Sequence, residues 1–156
     1  MSNLVKLGYF IELESKGLGK VVDVKYSDGF FKYIYDNYPW ELTGSSIDWR
    51  NVDAAVSIDC TNSSEKEIDD IFLKSPLSKY KHVCLFFYPD EPGFLCSFEF
   101  AREYLWSLLN GPGDGYMVGV NEQSNHIELL DKSDFVEIYA GDWISWGNLE
   151  HSLNTL

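Results

Sequence analysis

Residues 82–88, "HVCLFFY", are apolar almost without a break and are followed at once by Pro89. So short an apolar run predicts a strand covered on both faces, because a strand with one wet face alternates instead. Downstream, "SFEFAREYLWSLLNG" from Ser97 predicts a helix. Ser97 stands in the capping position, and Phe100, Ala101, Tyr104, Leu105, Leu108 and Leu109 recur at helical spacing. Next comes "NGPGDGYMVG", residues 110–119, where glycines and a proline crowd around Asp114. A phosphate-binding loop sets its glycines after a strand and before a helix, so that helix N-terminal amides face the anion. In this chain the predicted helix precedes the glycines and a strand follows them. Asn110-Gly111 therefore reads as a left-handed helix cap, with Pro112 preventing continuation. Strands are predicted at "YMVGV", "HIELL" and "FVEIY".

Upstream of the run, "TNSSEKEIDDIFLKSP" places Ser64 and Glu67 at capping-box spacing. Ile68, Ile71 and Phe72 form a narrow helical stripe, and Pro76 stops it. "VDAAVSIDC" predicts a strand with Val52, Ala54, Val56 and Ile58 on one face, and "ELTGSSIDWRN" before it a long polar surface loop. The first forty residues read as strands. Val5, Leu7, Tyr9, Ile11 and Leu13 alternate, and Val22, Val24 and Tyr26 do so again. Asp28-Gly29 then suits a hairpin turn into a return strand through Phe31, Tyr33 and Tyr35. The same letters fit a short helix with Phe30, Phe31, Ile34, Tyr35 and Tyr38 on one side; aromatic content favours the strand. The expected fold is one α+β domain over residues 1–156. Its sheet is mixed but mainly antiparallel, with the strands around "VSI" and "CLFFY" central and two principal helices packed on it.

Composition narrows the function. The chain is 45% hydrophobic and 16% aromatic, enough for a real core. Its first residues carry charges too early for a secretory leader, and no apolar run approaches a membrane helix. Three scattered cysteines fit reduced thiols, so a cytoplasmic setting without membrane association is expected. The net charge is −13. After Arg102 the only Lys or Arg is Lys132, set against nine carboxylates from Glu103 to Glu150. Direct binding to nucleic acid needs Lys and Arg to displace counterions, so this balance argues against it.

Signals for chemistry are sparse. His82 and Cys84, two apart on a strand, share a face and could ligate a metal or pair as thiolate and base, but no second short-spaced pair exists. A structural buried cysteine is the commoner case. There is no Gly-x-Ser-x-Gly elbow around any serine, Ser145 included. Carboxylate pairs such as Asp69-Asp70 and Asp90-Glu91 carry little meaning in so acidic a chain. No catalytic residue, metal ligand or cofactor is assigned. An enzyme assembled from distant groups (His82, Cys84, Asp59 or Glu99), an acidic nucleic-acid mimic and a self-associating module stand as alternatives.

The one-sided negative field together with aromatics suits a protein surface, where aromatics supply apolar area and charges set approach. The candidate partner-binding residues are Asp114, Glu122, Glu128, Asp131, Asp134, Glu137 and Asp142, with Trp143 and Trp146; Trp40 and Trp49 bracket the polar loop and suit the same role. In size, acidity, aromatic content and lack of a catalytic motif the whole chain resembles the immunity proteins of bacterial polymorphic-toxin and contact-dependent growth inhibition systems. That resemblance implies a tight one-to-one complex with a cognate toxin domain, often a nuclease, and no activity of its own.

Overall fold

A computed structural model describes residues 2–44, 46–109, 115–123, 126–129, 134–139 and 143–147, with side chains described at these positions except 2–7, 104–109, 122, 123, 126–129 and 139. Helix α1 (Ser2–Ser15) leads into strand β1 (Lys20–Val22), helix α2 (Val24–Asn37) and strand β2 (Val56–Asp59). Helix α3 (Glu65–Lys74), strands β3 (His82–Phe86) and β4 (Gly93–Ser97) and helix α4 (Phe98–Leu109) follow. The chain then stays in strands: β5 (Gly115–Gln123), β6 (His126–Leu129), β7 (Phe135–Tyr139) and β8 (Trp143–Trp146). These strands form one eight-stranded sheet in the order β1-β4-β3-β5-β7-β8-β2, with β6 pairing the far half of β5. Helices lie on both faces of this α+β architecture.

The "HVCLFFY" reading holds. On β3, Val83 and Leu85 enter one core with Phe10, Phe72, Phe94, Met117 and Ile138, while Cys84 and Phe86 enter a second with Phe30, Phe31, Ile34, Tyr116 and Phe135. Helices α1, α3 and α4 supply the first core; α2 and residues 38–52 cover the second. Both expected caps also form. The Ser64 hydroxyl accepts from the Glu67 amide while the Glu67 carboxylate accepts from the Ser64 amide, closing the capping box. The Ser97 hydroxyl accepts from the Phe100 amide at 3.0 Å at the start of α4. Residues 110–114 lie outside the described residues; α4 ends before them and β5 begins after them.

Four expectations change. Residues 5–13 are helical, not a strand: Phe10 and Leu13, three apart, are buried, whereas Tyr9 and Ile11 of the alternating set are half-exposed. Gly17, with φ of +73°, ends α1 in a Schellman motif, its amide bonded to the Glu14 carbonyl and the Leu18 amide to that of Leu13. Residues 24–37 are one helix rather than two strands. Asp23 caps it by accepting from the Lys25 amide, and Ser27, Phe30, Phe31 and Ile34 are the buried face at helical period. The strand around "VSI" is at the sheet edge, not its centre, because β2 pairs with β8 alone among the described residues. Finally, among the described residues each strand pairing is antiparallel rather than mixed, and four helices rather than two pack on the sheet. Strands β4 and β8 fall outside the expected set.

Candidate functional site

Strand period puts every second residue on one face, so Phe135 and Glu137 of β7 point the same way. Phe135 lies under Phe30, Tyr38 and Trp49. Two residues on, Glu137 stands opposite Ser145 of β8, and Ser145 stands opposite Ser57 of β2. The two serine hydroxyls are 2.8 Å apart. A polar row, Glu137–Ser145–Ser57, thus crosses three strands at the end of a face whose other end is aromatic core.

The segment from Pro39 to Val52 arches over this row. Trp40 and Ile47 form an antiparallel bridge, the Glu41 amide donates to the Ser46 carbonyl, and the Asp48 amide donates to the Pro39 carbonyl. Gly44, at φ of +71°, turns the tip, and its amide donates to the Glu41 carbonyl. The expected long polar loop is therefore a compact, internally bonded one. Trp49 is buried over Phe135 and Tyr38, and its indole Nε1–H donates to Glu137 Oε1 at 2.9 Å; the Ile47 amide donates to Oε2 at 3.4 Å. Arg50 Nε donates to Asp48 at 3.0 Å, and its guanidinium also sits 3.7 Å from Glu41. The Arg50 hydrogen bond is the main reason that the Asp48 carboxyl lies below the usual carboxylate range.

Between arch and strands lies a groove of about 460 Å³. Glu137, Ser145 and Ser57 line it from the sheet, and Glu41, Thr43, Ser46 and Arg50 from the arch. Trp143 of β8 also lines it and is 41% exposed. A larger cleft, about 650 Å³, lies between α3 and α4, but Arg102 and Asp69 within it hold each other by two bonds of 2.9 and 2.8 Å.

The chain matches no protein-family model, no curated protein and no solved structure.

The candidate contact residues separate. Trp143 is exposed at the groove, as a contact residue needs to be. Trp146 points to the other face, half-buried against the first core. Glu137 and Asp134 are corrections: both are buried and are not free surface charges. Glu137 carries the arch, and Asp134 anchors the turn after α3 by accepting from the Tyr80 hydroxyl at 3.2 Å and pairing with the Lys79 ammonium. Glu122 and Glu128 lie on β5 and β6, but their side chains lie outside the described ones, as do residues Asp114, Asp131 and Asp142 altogether. Trp40 is half-buried against Tyr35, its indole N–H donating to the Ile34 carbonyl.

The groups considered for distant-residue catalysis do not converge. Cys84 faces the second core on β3, and Asp59 lies four strand spacings away on β2, about 19 Å. Glu99 is on α4, against the opposite face. Among the described residues no three His, Cys, Asp or Glu side chains meet as a metal site would require. Glu41, Arg50, Ser57 and Ser145 fall outside the expected contact set. Their signal in the sequence is weak: a polar loop and two serines in apolar strands.

Proposed function

We propose that this chain is a cytoplasmic protein-binding inhibitor, an immunity protein that neutralises a basic toxin domain by covering its active or substrate-binding surface. The observation carrying this reading is Trp143, 41% exposed beside the groove between the arch and the sheet, on a strongly acidic chain. A large exposed aromatic on an acidic protein is how a surface anchors a basic partner while charge steers it into place. The net charge of −13 extends that field beyond contact distance. Leu42, fully exposed on the arch between groove residues Glu41 and Thr43, adds apolar area nearby. No described helix is long and apolar enough to cross a membrane.

The test is co-expression with the C-terminal domain of a toxin encoded beside this chain. Cell survival and a one-to-one complex are expected, with an association rate that falls as salt rises. Cell death without a complex, or a neighbourhood encoding no toxin, overturns the reading.

A further inference from the structure

We infer that the outer edge of β2 accepts a further strand, supplied by a basic protein partner; the identity of that partner rests on the function proposed above. Strand β2 ends the strand order and, among the described residues, pairs with β8 alone. Such an edge carries a row of backbone N–H and C=O groups ready to template another strand. The opposite end of the order is blunted. There β1 has only three residues, and the outward N–H of Val21 donates to Glu14 Oε2 of α1 at 2.7 Å. Strand β2 has no proline, glycine or lysine to deter pairing. The Cys60 thiol lies 3.6 Å from the Ile58 carbonyl, but a thiol is a weak donor and leaves the N–H groups of the edge untouched.

Charge and side-chain pattern choose the occupant. Ile58 packs on the first core, whereas Ser57 and Asp59 turn to the other face, opposite Ser145 and Trp143 of β8. Asp59 is exposed, and the Thr61 amide and hydroxyl both donate to its Oδ1, so Oδ2 has no partner among the described residues. From Asn51 to Ser64 the chain carries Asp53 and Asp59 and no Lys or Arg. A second copy would bring the same net charge of −13 and the same acidic edge, so charge opposes self-pairing. A basic strand meets no such repulsion. A Lys or Arg across from Asp59 gains a cross-strand ion pair, and Trp143, one strand further in, offers its aliphatic stem an apolar surface. The strand so favoured alternates, with apolar residues extending the Ile58 face and cations extending the Asp59 face.

The experiment follows amide hydrogen exchange by NMR in the full chain, free and in complex with the toxin domain encoded beside it. The free chain should sediment as a monomer whose outward β2 amides exchange freely. In the complex those amides should slow by at least about tenfold, while β1 and β6 exchange as before. Asp59→Asn, which keeps an acceptor for Thr61, should weaken the complex about fivefold, as loss of a cross-strand ion pair does. A concentration-dependent dimer with β2 protected would make a second copy the occupant, and protection of β2 in the free monomer would make it the chain itself; either overturns the inference. Protection of β1 or β6 instead, or an Asp59→Asn variant that binds as tightly as the parent, overturns it too. Its failure is separable from that of the proposed function. A complex in which β2 exchanges as in the free chain removes only the strand addition, whereas the absence of any complex removes the inhibitor role and this partner with it.

Discussion

The Trp49 indole N–H donates to the buried Glu137 carboxylate at 2.9 Å across 88 positions of sequence. This bond and the Ile47 amide bond to the other oxygen fasten the arch to β7. Glu137→Leu keeps apolar bulk but leaves two shielded donors without this acceptor, each costing about 1–3 kcal/mol. Glu137→Gln retains a carbonyl oxygen for Trp49 and should lose less. Glu137→Lys sets a cation against two N–H donors and should be the worst of the three. Urea denaturation midpoints check the order; a leucine variant as stable as the parent would remove the structural role of this carboxylate.

Gly119 of β5 predicts a steric limit on the other face. A Cβ built there would fall 2.4 Å from the Tyr80 ring. That ring cannot swing away freely, because its hydroxyl donates to buried Asp134. Gly119→Ala should therefore destabilise by about 1–3 kcal/mol, the usual cost of overpacking. Adding Tyr80→Ala opens the space, so the double variant should lose less than the sum of the two single changes. Additive losses in a thermal unfolding cycle would show that the two positions do not press on each other.

What could be read from the residues followed the strength of the local signal. Buried β3 was legible because both faces are apolar and Pro89 bounds it. The Ser64 and Ser97 caps were legible because a cap is a contact within four residues. Helices α1 and α2 were misread because their aromatic and β-branched residues satisfy period two and period 3.6 at once. Packing decided between them: α1 buries Phe10, absent from the alternating set, together with Leu13, and α2 buries Phe30, Phe31 and Ile34 at helical spacing. The site was the least legible part. Strand alternation does place Glu137 on the same face as Phe135, which was a hint of burial. That its partners are Trp49 and Ile47 depends on tertiary closure of the arch, which no local pattern encodes.

Acid should weaken the fold through groups that can be named. Arg102 hydrogen-bonds Asp69 and holds its carboxyl below the usual range; the Ser64 amide does the same for Glu67, and Thr61 for Asp59. In the unfolded chain such groups take up protons near pH 4. Because their folded affinities for protons are lower, the stabilisation is complete above that region and is lost as pH falls through the depressed folded values. Melting temperature should hold steady at neutral pH and drop below about pH 4. Asp69→Asn should cost about 0.5 kcal/mol at pH 7, as a partly exposed pair does, and decline less steeply in acid. Parallel melting curves for variant and parent would exclude the Asp69 contribution.

The three cysteines make the last prediction, and it bears on chemistry as well as stability. All are buried free thiols. Burial pushes Cys96 up to about 12 and Cys84 well above its ordinary range, and Cys60 is raised by the same cause. Thiolate is the reactive form, so neither Cys84 nor Cys96 is poised as a nucleophile, and the His82 and Cys84 spacing on β3 has a packing origin. A disulfide-exchange reagent at pH 8 should label these two only as fast as the chain unfolds, with Cys60, at the end of the edge strand, first to react. Because the folded thiols keep their protons while unfolded ones ionise from about pH 8.5, stability should also fall as pH rises beyond that value. Prompt labelling of Cys84 in native protein would overturn its burial and with it the assignment of β3 to the centre of the sheet.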